Sequence, residues 1–267
     1  MRSSVVTCPL SGFGNSSQDD TLVCAQAADS EATRKLSLSQ KWKILIVGLP
    51  WVEFGSRCKG LTLRAVLILS TYTLASMQAA RLGTVTIAGH QVIQQLQQLQ
   101  LAVAWSFLSV GQTMIANVYN DPAKGPSQAR VVGSRIILWG VVFSLLMASG
   151  TWCFRHVLPT VFVQKAAAGV LATIAPAMLP ACVMLLFSCN NALEGVLLGA
   201  GDANYVVGVY PPSVLLCLAF LAVSWHTGSG LQGIWWALCA YYAGLVSLFS
   251  ARVWPLWRGM SGPLHAE

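Results

Sequence analysis

Charged side chains are scarce in this chain, and acidic ones are almost missing from most of it. Only 9% of its 267 residues are charged, whereas an ordinary soluble domain has about a quarter. Between residues 60 and 266 the acidic residues are Asp121, Glu194 and Asp202 alone. A soluble fold could not cover its exterior with so few charges, and a hydrophobic content of 55% excludes a disordered or collagen-like chain. We therefore expect lipid to surround most of the chain.

The sequence also lacks the clusters that indicate a metal site, an active site or a nucleic-acid surface. Its eight cysteines include no CxxC pair, and half of them lie in apolar runs, where a thiol packs as a small apolar group. No Ser-His-Asp, paired-Asp or His cluster falls at catalytic spacing within one segment. The net charge of +7 comes from basic residues scattered singly at the edges of apolar runs. We therefore expect no enzyme activity, no metal or organic cofactor and no nucleic-acid partner.

Long apolar segments make up most of the chain. They lie at about 61–80, 85–118, 132–154, 166–190, 205–225 and 231–254. Each can cross a hydrocarbon layer of about 30 Å as an α-helix, which rises 1.5 Å per residue. Only a helix satisfies the backbone of such a segment in lipid, and the alternating pattern of a β-barrel is missing. The sequence predicts an all-α, multi-pass integral membrane protein with a bundle of six transmembrane helices.

The regions outside this membrane domain, which we place at 57–258, differ in composition. Residues 1–40 are rich in Ser, Asp, Gln and Thr and predict a disordered tail. Residues 41–56 contain an apolar run too short to span a membrane and predict a helix in the interface. A short tail follows at 259–267. No secretory signal is present, and the serine content leaves an organellar address open, with the plastid envelope as one candidate.

Basic residues flank the six segments unevenly. Ten of them fall on the side that receives both ends of the membrane domain, and only Arg81, Arg155 and Lys165 fall on the other. The positive-inside rule then places both termini on the cytoplasmic-equivalent side. Tryptophans near the segment ends predict an aromatic belt at the interfaces. They are Trp152, Trp225, Trp235, Trp236, Trp254 and Trp257.

The second segment carries a row of amide side chains. Six glutamines occur within residues 91–100. On a helix, one face holds Gln91, Gln94 or Gln95, Gln98, Ala102, Trp105, Ser109 and Gln112. These groups can line a wet cavity, or they can join neighbouring helices by hydrogen bonds. We expect the cavity for the row as a whole, because helix contacts normally need one or two polar positions.

The fourth segment contains two prolines and ends in two amides. Pro176 and Pro180 lie one turn apart, and each removes a backbone hydrogen bond, which predicts a kink that can serve as a hinge. Asn190 and Asn191 follow at the end of the segment and are further candidates for the cavity wall.

Two ionisable residues in or beside the apolar segments have open interpretations. His90 can sense protons or can be an ordinary interfacial side chain, and we favour the second role. Glu194 can be a titrating or cation-binding carboxylate, or a solvated charge at a helix end followed by a Gly195 cap. Further on, Gly199 and Gly201 precede Asp202, which predicts a tight turn with Asp202 capping the next helix.

Several short motifs follow one another along the chain. They are Gly83-Thr84-Val85-Thr86-Ile87-Ala88-Gly89-His90-Gln91, Gln112-Thr113-Met114-Ile115-Ala116, Leu158-Pro159 with Phe162, Glu194-Gly195-Val196-Leu197-Leu198-Gly199-Ala200-Gly201-Asp202 and Gly230-Leu231-Gln232-Gly233-Ile234-Trp235-Trp236. In this order they resemble the motifs of the multidrug and toxic compound extrusion (MATE) transporters, especially the plant and algal branch related to DNA-damage-inducible protein F. Arg64 lies where that branch often has an arginine in its seventh helix. The resemblance covers about residues 54–258.

The resemblance implies one lobe of a transporter. Family members have two six-helix lobes around a central cavity, and this chain is similar to the second lobe, helices seven to twelve. The carboxylates of the first lobe have no counterpart here, and Glu194 replaces the more usual Asp. The implied function is efflux of small organic solutes in exchange for H⁺ or Na⁺, with a second lobe or a second copy as partner. The alternative is a truncated, non-transporting membrane subunit that associates with or regulates a full-length carrier.

Overall fold

The computed structural model describes residues 51–119, 125–162 and 168–259, and within these ranges every regular element is a helix. The α-helices are α1 (Trp51–Arg81), α2 (Thr84–Tyr119), α3 (Gly125–Cys153), α4 (Leu158–Phe162), α5 (Ala168–Leu186), α6 (Asn190–Gly199), α7 (Ala203–Thr227) and α8 (Gly230–Gly259). A 3₁₀ helix, Phe187–Cys189, joins α5 to α6.

Six stretches of helix are long and apolar enough to cross a membrane, which confirms the predicted fold class. They are Lys59–Arg81, Thr84–Tyr119, Ser127–Cys153, Gly169–Gly199, Ala203–Thr227 and Gly230–Pro255. Large apolar side chains cover their outer surfaces, and Leu69, Leu138 and Leu215 are each 60% exposed or more. Water would disfavour such a surface, whereas acyl chains match it.

The fourth span extends well beyond the predicted end at residue 190. It consists of α5, the 3₁₀ helix and α6, and it ends at Gly199. Polar residues do not terminate it because Asn190, Asn191 and Glu194 are all buried inside the bundle. The third helix begins at Gly125, earlier than the predicted 132, because its polar first turns continue the same helix.

Parts of the predicted organisation lie outside the described residues. The tail at 1–40 does, as does 259–267 except for Gly259. Of the interfacial helix expected at 41–56, only residues 51–56 are described, and they belong to α1.

Glycines with positive φ permit the tight turns between consecutive spans. Gly83 has φ of +116° and lies between α1 and α2. Gly201 has φ of +84° and, together with Ala200 and Asp202, reverses the chain between α6 and α7. A side chain at either position would strain the backbone.

The core is formed mainly by α5, α7 and α8, and its largest side chains belong to α7 and α8. Trp235, Tyr241 and Phe249 of α8 are each at most 1% exposed, as is Tyr210 of α7. Trp235 therefore does not belong to the interfacial belt as predicted. It packs against the ring of His90, with the ring centroids 5.4 Å apart.

The first helix is attached less tightly than the others. Its span is the least buried of the six, and polar side chains make much of its contact with the bundle. Tyr72 and Tyr242 join hydroxyls at 2.8 Å, and Gln78 Nε2 donates to the Leu221 carbonyl at 3.2 Å. These polar contacts supplement Ala75 and Ala79, which α1 buries completely in the core.

Candidate functional site

A cavity of about 520 Å³ lies among α1, α2, α6, α7 and α8. Its wall combines an ion pair, amides and aromatic rings. The polar and aromatic lining residues are Arg64, Tyr72, Gln98, Trp105, Ser109, Asn190, Asn191, Glu194, Tyr210, Tyr241 and Tyr242. The apolar remainder comes from side chains such as Ile68, Leu101 and Leu245. A mostly apolar cavity with a few convergent polar groups is typical of a site for small organic molecules.

Arg64, Tyr210 and Glu194 form a connected cluster in this wall. The Nε–H of Arg64 donates to the Tyr210 hydroxyl at 2.9 Å, and that hydroxyl donates to Glu194 Oε2 at 3.0 Å. Glu194 Oε1 forms an ion pair with Arg64 Nε, and no described residue donates a directed hydrogen bond to it. The guanidinium also lies over the Tyr210 ring, 5.2 Å from its centroid. Three helices are linked by this cluster, because Arg64 is on α1, Glu194 on α6 and Tyr210 on α7.

The two charges of the cluster are unequally buried. The Glu194 side chain is 1% exposed and that of Arg64 is 21% exposed. A carboxylate buried to this degree needs a counterion or a bound proton, because removal from water strongly disfavours the free charge. The alternative of a solvated charge at a helix end is wrong.

Close packing of α2 on α6 fixes the position of Glu194. Gly195 lies in the middle of α6, and a Cβ there would be 2.6 Å from the Leu108 carbonyl oxygen of α2. At Gly199, one turn on, a Cβ would be 2.7 Å from the Ile115 Cβ. Two small residues four apart thus let the two backbones touch, as in other membrane helix pairs. Gly195 is therefore a packing residue and not the predicted helix cap.

Five of the residues predicted to line a cavity or bind a coupling ion come together in this wall. They are Gln98, Ser109, Asn190, Asn191 and Glu194. Gln91, Gln94 and Gln112 are not among the lining residues of the cavity. Gln91 and Gln112 lie on the same face of α2 and are exposed. The face is thus continuous along the helix, but only its central part borders the cavity.

Two other glutamines of the row join helices instead. Gln97 is 3% exposed and its Nε2 donates to the Met184 sulfur at 3.1 Å. Gln100 donates to the Thr151 hydroxyl of α3 at 2.7 Å. The interpretation as interhelical hydrogen bonds therefore describes these two side chains.

The remaining predicted positions lie apart from the cavity. His90 is completely buried and its Nε2 is 3.1 Å from the Ser76 hydroxyl, so it is not the expected interfacial side chain. Asp202 is the N-cap residue of α7, but its side chain makes no capping bond and instead accepts from Arg252 Nε at 2.7 Å. Pro176 and Pro180 lie inside α5, which continues through both. Their use as a hinge stays a prediction.

The tyrosines of the wall were missed by the sequence analysis. Tyr72, Tyr210, Tyr241 and Tyr242 each place a hydroxyl inside an apolar span, where lipid offers no hydrogen-bond partner. That signal was available in the sequence. The Tyr241 hydroxyl is buried without a hydrogen-bond partner among the described residues.

A family model and a curated relative both associate the chain with the same protein family. The MatE family model matches residues 61–223, which is more than half of the chain. The chain is 28% identical over 213 residues to Protein DETOXIFICATION 43 of Arabidopsis thaliana, a match that covers 77% of this chain and 39% of the relative. The chain therefore spans well under half the length of that relative. No solved structure matches it significantly. The extent of the family match, together with the six spans and the ordered motifs, shows that the chain belongs to the MATE family of membrane transporters.

Proposed function

We propose that the chain forms the C-terminal, solute-binding lobe of a MATE-type exporter that exchanges organic solutes for H⁺ or Na⁺. One observation carries the proposal: a nearly inaccessible carboxylate, Glu194, is paired with Arg64 in the wall of a cavity that is large enough for a small organic molecule. A transporter family also agrees with our expectation that the chain is not an enzyme.

The cluster suggests how a cation could be coupled to a change in the cavity. A proton or Na⁺ on Glu194 would neutralise the carboxylate and remove the attraction that holds Arg64. Arg64 belongs to α1, whose span is the least buried. Loss of this attachment would therefore favour movement of α1 more than movement of any other span, and would change the wall that the solute contacts.

A second lobe or a second copy completes the cavity in this proposal. The polar face of α2 continues past the cavity through exposed Gln91 and Gln112, and amides are poorly tolerated against acyl chains. The chain also spans 39% of the length of its plant relative. We place both ends of the membrane domain on the cytoplasmic-equivalent side, from the distribution of basic residues, with the plastid envelope as one candidate membrane.

Flux measurements on reconstituted protein test the proposal. The full chain is placed in liposomes, and export of ethidium, a fluorescent organic cation, is followed under an imposed proton or sodium gradient. Glu194→Gln keeps the size of the side chain but removes its charge, and we expect it to abolish gradient-driven flux. Asp202→Asn is the matched control, because Asp202 pairs with Arg252 away from the cavity. That variant should keep its flux.

Two results would contradict the proposal. Gradient-driven flux through Glu194→Gln at the level of the unmodified chain would remove the carboxylate from the coupling step. A chain that gives no flux in liposomes, yet copurifies stably with a full-length carrier and changes that carrier's rate, would support a regulatory subunit instead.

A further inference from the structure

A second cavity, of about 280 Å³, lies between α1 and α7 and shares no lining residue with the first. It is located where both helices approach their C-terminal ends. Arg81, Trp225 and His226 line it close to the helix ends, and Leu74, Met77 and Leu218 line it further along. The composition therefore changes along the groove from cationic and aromatic to apolar.

The apolar part of this α1–α7 groove faces outward. Leu74, Met77 and Leu218 are 38%, 50% and 37% exposed. From Leu74 to Arg81 the helix rises about 10 Å at 1.5 Å per residue, which matches about the first half of an acyl chain. The hydrogen bond from Gln78 to the Leu221 carbonyl joins the helices beneath this part of the groove. This bond is one of the few points at which α1 is attached to α7.

The arginine at the cationic end of the groove has hydrogen-bond donors that no described residue uses. Arg81 is exposed, and no ion pair or hydrogen bond joins its side chain to any residue that the structure describes. Trp225 is 52% exposed beside it, and tryptophan is enriched at the depth of lipid headgroups. A guanidinium binds phosphate with two parallel hydrogen bonds, which a lysine cannot do. The groove thus places a phosphate-binding group at headgroup depth above an apolar channel.

We propose that the α1–α7 groove binds one anionic phospholipid, with its phosphate on Arg81 and one acyl chain along Leu74 and Leu218. A soluble anion would use only the cationic end and would leave the apolar channel empty. A neutral lipid would fill the channel but would bring no net charge to Arg81. The bound lipid would contact both α1 and α7, and it would attach the least buried span to the bundle. Lipid binding in this groove does not require the proposed transport function.

Native mass spectrometry of the purified 267-residue chain in mild detergent tests the proposal. Phosphatidylglycerol and phosphatidylcholine are titrated separately, and the retained lipid is counted. We expect one phosphatidylglycerol to be retained in preference to phosphatidylcholine. Arg81→Gln should weaken the phosphatidylglycerol site about tenfold or more, because it removes charge-assisted hydrogen bonds. Arg130→Gln, which removes an exposed arginine near the start of α3, is the control and should leave binding unchanged.

A second variant tests the apolar part of the groove. Ala222→Trp fills the channel while leaving Arg81 in place, and we expect it to reduce binding as well. Circular dichroism of each variant establishes that the helices are retained. Unchanged phosphatidylglycerol binding in either Arg81→Gln or Ala222→Trp would overturn the proposal. So would equal retention of phosphatidylcholine, or displacement of the lipid by glycerol phosphate, because an acyl chain would then contribute nothing.

Discussion

Removing either charge of the cavity cluster should destabilise the protein, but by unequal amounts. Arg64→Gln leaves Glu194 with an uncompensated charge at 1% exposure, a situation that typically costs about 3–5 kcal/mol. Glu194→Gln leaves Arg64, which is 21% exposed and can turn toward the cavity. That change should cost about 1–3 kcal/mol, the range for losing a hydrogen bond to a charged group. The double variant buries no unpaired charge and should be more stable than the sum of the single effects implies.

The measurement is a double-mutant cycle on the chain in detergent micelles. Unfolding is followed by circular dichroism as a denaturing detergent is added, for the unmodified chain, the two single variants and the double variant. The coupling energy should be within about 0.5–3 kcal/mol and of the sign that favours the double variant.

Equal losses from the two single changes, adding up in the double variant, would refute this reasoning. Such a result would mean that Glu194 and Arg64 do not sense each other's charge, and that the burial of Glu194 is relieved in another way.

Two further changes test the helix packing and the surface. Gly195→Ala should destabilise the protein by about 1–3 kcal/mol in the same unfolding assay, because its Cβ would meet the Leu108 carbonyl. Gly208→Ala in α7 is its matched control and should stabilise the protein slightly, since a Cβ there meets nothing within 4 Å. Equal changes in stability for the two substitutions would refute close helix approach as the cause. Arg252→Gln should leave the thermal midpoint unchanged, because its ion pair with Asp202 is at the surface, and a clear drop in that midpoint would show that the pair is structural.

The number of spans could be predicted from the sequence, whereas the end of the fourth span could not. Hydropathy identifies a span because lipid-facing residues must be apolar at every turn. The same criterion ends the span at Asn190 and places Asn191 and Glu194 beyond it, since it counts their polarity and ignores their location. These three side chains face the interior of the bundle, where protein partners satisfy them. Polarity therefore marks the end of a span only when the polar side chain faces lipid.

Contacts between residues that lie far apart in the chain also could not be predicted from the sequence. Arg64 and Glu194 are 130 positions apart, and each could be recognised alone but not as partners. Trp235 illustrates the same limit for an apolar side chain. Its position near the start of α8 suggests the interface, yet it packs on His90 and is completely buried. Which residues meet is decided by the crossing of helices, and local patterns carry little information about that crossing.

The glutamine row of α2 shows how helix geometry divides one sequence feature into separate roles. Successive residues on an α-helix are rotated by about 100°, so six glutamines within ten positions cannot face one environment. Gln97 lies on the buried side and donates to Met184, and Gln98, one position on, lines the cavity. Gln91, two turns before Gln98, continues the cavity face toward the helix end and is exposed. On the side opposite Gln97, the face that carries Gln98 borders a lipid-facing surface of Leu99 and other apolar residues. The helix thus has three surfaces, and only the surface that carries Gln98 brings an amide of α2 to the cavity. The composition of the row predicts that these amides need polar partners. The angular position of each residue around the helix axis determines whether that partner is a neighbouring helix or a molecule in the cavity.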